Sequence, residues 1–216
     1  MPKESRPELK NRTAGIIDVL KKVYPNPRTA LNYSNPLELL VATILSAQTT
    51  DRGVNLVTAG LFNKYPTPAD YANADVRQFE QEIRSTGFYR NKTRAVTAAC
   101  RKIAEDYGSQ VPDTMEGLLT LPGVARKTAN VVLGSAFGKN EGIAVDRHVA
   151  RVAGRLKLTA EDDPPKIEQD LMELVPKNDW TAFSHMVILH GRETCTARKP
   201  NCPACPLNKL CPSAFK

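Results

Sequence analysis

The 216-residue chain contains no apolar run approaching the roughly 20 residues that span a bilayer, so no membrane-crossing helix is expected. Its opening, Met1-Pro2-Lys3-Glu4-Ser5-Arg6-Pro7, is polar and lacks the apolar segment of a secretion signal, so the expected compartment is intracellular. No stretch alternates apolar and polar residues as a half-buried strand does, and no internal repeat or low-complexity linker interrupts the chain. With 25% charged and 41% hydrophobic residues, the composition also excludes a disordered chain. What is present is a modest basic excess, 30 Lys+Arg against 23 Asp+Glu, and five cysteines. A net charge of +7 implies an anionic partner without naming it.

The charge is unevenly spread. Arg84, Arg90, Lys92, Arg94, Arg101 and Lys102 form a run without one acid. From Arg192 to Lys216 there are five basic residues against Glu193 alone, while Glu161 to Glu173 carries six acids and one lysine. Such runs fit either solvated faces or tracks for phosphates.

Helical periodicity dominates. Ile16, Val19, Leu20 and Val23 follow the i, i+3, i+4, i+7 rule. Asn35-Pro36 reads as an N-cap with proline at the first helical position, and the apolar segment Leu37 to Ala47 behind it predicts a central buried helix. Further stripes run through Val54–Leu61, Val76–Ile83, Val96–Ile103, Ala129–Ala136, Val149–Leu156, Ile167–Leu174 and Trp180–Leu189. Tyr65-Pro66-Thr67-Pro68 and Asp163-Pro164-Pro165 read as connections. The fold class is all-α, with about ten helices.

Four cysteines, Cys195, Cys202, Cys205 and Cys211, are spaced C-x6-C-x2-C-x5-C. Without a secretion signal, clustered thiols are metal ligands before they are disulfides, and four thiolates suit zinc or an iron–sulfur cluster. A proline follows each of Cys202, Cys205 and Cys211 and stiffens the knot. Cys100 stands apart on the Val96–Ile103 stripe and reads as core.

In Leu119-Thr120-Leu121-Pro122-Gly123-Val124-Ala125-Arg126-Lys127-Thr128-Ala129-Asn130, one helix ends in Leu-Pro-Gly-Val and another begins at once. This fits an ordinary αα-turn, or a helix–hairpin–helix in which Gly123 and the new helix N-terminus seat a DNA phosphate. In Val145-Asp146-Arg147-His148-Val149, the aspartate opens a helix as its N-cap.

Taken together, the Leu-Pro-Gly-Val turn with Lys127, Asp146 about twenty residues later and the four-cysteine knot resemble the endonuclease III branch of the helix–hairpin–helix DNA glycosylases. Leu45-Ser46-Ala47-Gln48-Thr49-Thr50-Asp51, Gly87-Phe88-Tyr89 and Lys127-Thr128-Ala129-Asn130-Val131-Val132 resemble further segments of that branch, and the likeness runs from about residue 14 to Cys211.

The resemblance implies two helical domains: a six-helix barrel over residues 29–140, and an iron–sulfur domain assembled from residues 1–28 and 141–216. DNA is expected across a cleft between them, with Lys127 and Asp146 at its floor. It implies a [4Fe-4S] cluster held by Cys195, Cys202, Cys205 and Cys211. The activity implied is that of a bifunctional DNA glycosylase and abasic-site lyase of base excision repair, acting as a monomer on double-stranded DNA that contains damaged pyrimidines or abasic sites. A bacterial source would place it in the cytoplasm with the nucleoid. Lys127 would be the nucleophile and Asp146 its electrostatic and proton-handling partner. Gln48 would fill the hole left by a flipped base, and Phe88 would wedge the stack where leucine is familiar. Leu121, Gly123, Val124 and Ala125 would present the hairpin to a phosphate, and Arg198 and Lys199 a basic loop. His148 would orient the Asp146 segment or pack locally rather than act as a base, while His185 and His190 would be structural.

Relatives specific for adenine lack this lysine and carry a further domain beyond the cysteines; 8-oxoguanine relatives lack the cluster. Two positions depart from the family pattern: Ala125 stands where a second glycine is usual, and Arg147 where threonine is familiar. The alternative reading is a DNA-binding homologue of the same fold with weak or altered catalysis.

Overall fold

Helices account for every regular element among residues 4–215, which the computed structural model describes. They fall into two units, one formed by residues 29–139 and the other by the flanking segments, through residue 28 and from residue 140 onward.

The continuous unit is built around α2 (Pro36–Leu45). Asn35 caps it, its side-chain oxygen accepting from the Glu38 N–H at 3.0 Å, and Pro36 occupies the first turn, where a missing N–H costs nothing. Leu37, Leu39, Leu40, Val41, Ala42, Ile44 and Leu45 are all buried, so neighbours cover most of the surface of α2, with Glu38 and Thr43 half-buried. It packs against α3 (Asp51–Lys64), α6 (Tyr89–Asp106) and α8 (Arg126–Ala136). The short helices α4 (Pro68–Ala72) and α5 (Val76–Glu82) both lie on α6, and α7 (Met115–Leu119) lies on α8. Proline 68, read from sequence as part of a connection, instead starts α4. Thr67 caps that helix, and Asp70 reaches back to the Thr67 N–H at 2.9 Å. Cys100 is core, and burial pushes its thiol up to about 12, which leaves it unreactive.

The second unit joins the first helix to the end of the chain. Helix α1 (Arg6–Val23) packs on α10 (Pro164–Leu174) and α11 (Trp180–Glu193), and α11 packs on α9 (Arg147–Arg155). Ile16, Leu20, Val149, Val152, Leu171, Phe183, Met186 and Leu207 share one core. Arg12 stitches the distant segments together, donating to the Leu156 carbonyl at 2.8 Å and the Leu210 carbonyl at 3.2 Å. Prolines 164 and 165 again open a helix where a connection was expected. Asn140 falls with this unit, one residue earlier than the expected boundary, because its side chain bonds to Thr181 and to the Asn178 carbonyl. His185 and His190 are buried in α11, and burial lowers both imidazoles, His190 to about 4.

Candidate active site

The hairpin between α7 and α8 is set by its apolar residues and one glycine. Leu121 and Val124 are buried, and the Val124 N–H donates to the Leu121 carbonyl at 3.1 Å, closing the turn. Gly123 sits at φ +78°, where L side chains rarely go, and a Cβ there would lie 2.6 Å from the Cβ of Ala95. Conformation and packing therefore demand glycine independently. We expect Gly123→Ala to lower stability by about 1–3 kcal/mol in urea unfolding. Adding Ala95→Gly should recover only the clash and leave the φ cost. Full recovery by the double variant would show that the backbone conformation carries no cost.

Because Leu121 and Val124 point inward, their side chains are withdrawn from any ligand, and only backbone groups remain to them for DNA contact. Ala125 is the N-cap of α8 in ordinary extended backbone, φ −97° and ψ 169°. Alanine in place of a second glycine is thus free of strain. Its methyl group also provides no side-chain cap for α8. Lys127, the second residue of α8, is exposed.

In the other unit, Asp146 is the N-cap of α9, its Oδ1 accepting from the His148 and Val149 N–H groups at 2.7 and 2.8 Å. Its side chain is fixed by two bonds before it does anything else. His148 packs beside it. Burial, with Arg151, Arg192 and Arg147 nearby, lowers its imidazole despite the opposing pull of Asp146, and its Nδ1 lies 3.1 Å from the Arg151 guanidinium. Arg147 is exposed.

Back in the continuous unit, Gln48 and Phe88 are exposed and hold left-handed backbones, φ +56° and +48°. Phe88 is 64% accessible and is no part of the core. Non-glycine residues in this region are uncommon, and strain of this kind persists where surrounding structure holds it and where a function uses it. Lys92 departs most from expectation: within the basic run it alone is buried, 5% accessible, rather than part of a phosphate track.

The four clustered cysteines are free of disulfides and line one cavity of about 300 Å³, together with Val152, Leu156 and Leu207. Among the described residues no three His, Cys, Asp or Glu side chains converge as a single bound ion requires. Four thiols lining one cavity are the donor set that an iron–sulfur cluster takes. Burial and the neighbouring cysteines raise the Cys205 thiol, so as a bare set the sulfurs favour protons, which a bound metal displaces.

Two arginines that sequence reasoning missed shape this knot. Arg151 donates to the carbonyls of Gly191, at 2.7 Å, and Cys195, at 3.1 Å. Arg155 donates to the Thr196 carbonyl at 2.7 Å, the Ala197 carbonyl at 2.8 Å and the Cys195 Sγ at 3.3 Å. Their four-residue spacing on α9 was the available signal. The loop they hold closes through the Thr196 hydroxyl, which donates to the Lys199 carbonyl at 2.7 Å, and displays Arg198 and Lys199 to solvent.

Residues 41–177 match the model of the HhH-GPD superfamily of base excision DNA repair proteins, and residues 195–211 match the iron–sulfur binding domain of endonuclease III. The chain is similar to endonuclease III of Synechocystis sp., with 54% identity over 95% of this chain and 94% of that protein. Against endonuclease III of Bacillus subtilis the identity is 45%, over 90% and 89% of the two chains. Among solved structures, a trapped endonuclease III–DNA covalent intermediate superposes with a TM-score of 0.90 at 44% identity, covering 95% of this chain and 96% of that one.

Proposed function

This chain belongs to the HhH-GPD superfamily of base excision DNA repair proteins, and from that premise we infer that it is a bifunctional DNA glycosylase and abasic-site lyase acting on oxidised pyrimidines. The observation that carries the reading is Lys127: an exposed amine one residue inside α8, directly behind a glycine hairpin and an uncapped helix start that suit a phosphate.

The chemistry assigns a task to each residue. An extruded nucleotide exposes its C1′ at the cost of a few kcal/mol of unstacking. As the glycosidic bond breaks, the base leaves with the bonding pair and takes up a proton, while positive charge builds on the sugar. The Asp146 carboxylate, held by α9, stabilises that charge. The Lys127 Nζ lone pair forms a bond to C1′, and opening of the sugar at O4′ gives an iminium. Loss of a C2′ proton then expels the 3′-phosphate, and the strand is nicked. Only a neutral amine can attack, so Lys127 must shed its proton before this step.

Gln48 and Phe88 are the candidates to occupy the stack, and Arg198 and Lys199 to meet phosphates. Cys195, Cys202, Cys205 and Cys211 would hold a [4Fe-4S] cluster, whose thiolate bonds cross-link the chain around the loop bearing Arg198 and Lys199. The protein should therefore be coloured and should contain iron at about four atoms per chain; a colourless protein with one zinc would overturn that assignment. No helix among the described residues is long and apolar enough to cross a membrane, and the reading places the enzyme with its DNA in the cytoplasm.

Incubation with abasic-site DNA and borohydride tests the reading, since borohydride reduces a Schiff base to a stable amine. A covalent protein–DNA adduct is expected. Its absence would favour a DNA-binding homologue without lyase chemistry.

A further inference from the structure

Lys92 is the least expected charge in the molecule. It lies on the inner face of α6, and its ammonium donates to the Leu45 carbonyl at 2.7 Å, the Thr86 carbonyl at 2.7 Å and the Thr49 hydroxyl at 3.0 Å. An ammonium has three protons, and all three have acceptors. The Thr49 hydroxyl in turn donates to the Thr86 carbonyl, so the two loops are bonded to each other as well as to the lysine. Burial lowers the Lys92 ammonium from its usual value.

A hydrophobic side chain would fill this space with less desolvation cost, so simple stability is a poor account of a lysine here. The positions of its acceptors supply a better one. Leu45 and Thr49 bracket Gln48, three residues before it and one after; Thr86 lies two residues before Phe88. The Phe88 carbonyl also accepts from the Lys92 N–H at 3.1 Å, as the first bond of α6. Leu45 ends α2, where carbonyls lack partners within the helix and the dipole favours a cation. One side chain thus fastens the loop of Gln48 to the loop of Phe88, two exposed residues with left-handed backbones, while touching neither of those side chains by hydrogen bond.

We propose that Lys92 is a positioning residue for DNA intrusion: by tying residues 45–49 to residues 86–88, it presents Gln48 and Phe88 to the base stack as one pre-set unit. Lys92 contacts no nucleotide and acts through the two loops. Without it, each loop relaxes toward its unstrained backbone, and the cost of ordering both returns when DNA binds.

This inference rests on the glycosylase–lyase reading, and its test separates the two. Lys92→Met is compared with the parent on a duplex carrying a damaged pyrimidine, where intrusion is required, and on single-stranded abasic DNA, where no stack is entered. A 2-aminopurine opposite the lesion reports intrusion by its fluorescence. Excision from the duplex should fall about 10²-fold and the fluorescence change should vanish. Borohydride trapping on the single strand should remain within about threefold of the parent. Equal losses on both substrates, or no loss on the duplex, would overturn the proposal. Should circular dichroism show Lys92→Met unfolded, Thr49→Val keeps the ammonium but removes one anchor, and it must give the same split at smaller size; a parallel loss or none would overturn the proposal again. If the parent itself forms no adduct on the single strand, the lyase reading fails, and this inference falls with it.

Discussion

Lys127→Ala should give no borohydride-stable adduct with abasic DNA and should lower strand nicking by about 10³-fold or more, since the proposed nucleophile is removed outright. The substitution should otherwise be quiet. Lys127 is exposed, and alanine is the best helix former, so the unfolding midpoint should shift by no more than about 0.5 kcal/mol in free energy. DNA affinity in a gel-shift titration should fall only by the loss of one cation. The Gly123 hairpin and the start of α8, the proposed phosphate seat, are left unchanged. Retention of binding together with loss of the adduct separates the nucleophile from the surface that presents it. If the variant traps DNA as well as the parent does, another amine forms the Schiff base and the assignment is wrong.

Asp146→Asn should lower excision of a damaged pyrimidine by about 10²–10³-fold while leaving the fold intact. Beside its capping role the aspartate has a second, proposed job, and asparagine divides the two. As the N-cap of α9 it accepts from two N–H groups, which the asparagine oxygen also does, so stability should change by only a few tenths of a kcal/mol. As a carboxylate it opposes positive charge on the sugar, which a neutral amide cannot do. Asp146→Ala would mix the two losses, because it also removes the cap, at about 1 kcal/mol. Excision and urea unfolding are therefore measured on all three proteins. Excision by Asp146→Asn at the parent's rate would reduce Asp146 to a capping residue.

The residues legible in the sequence were those whose chemistry is local. Gly123 announces a turn because few other residues take its backbone, and Asn35-Pro36 announces a helix start by capping alone. The four cysteines are legible by spacing and by the lack of another use for clustered thiols. Less legible were residues whose role depends on distant partners. The acceptors of Lys92 come from positions 45, 49 and 86, and within a run of surface arginines nothing marked it as buried. Arg151 and Arg155 look like two solvated helix charges until residues 191–197 are placed against them. The left-handed backbones of Gln48 and Phe88 carry no composition signal, since neither residue favours that conformation. Prolines 68, 164 and 165 misled in the opposite sense: proline interrupts a helix but also starts one.

The bond from Arg12 to the Leu210 carbonyl spans 198 residues, which sets an order of events during translation. The segment from residue 29 to 139 is contiguous and can fold as soon as it clears the ribosome. Helix α1 leaves the exit tunnel before its partners α10 and α11 and the Leu210 carbonyl, so its packing waits for them. At about 5–20 residues per second, the wait is about 10–40 s. Through that interval the core partners of Ile16, Ile17 and Leu20 are not all in place, which leaves this helix open to chaperones and proteases.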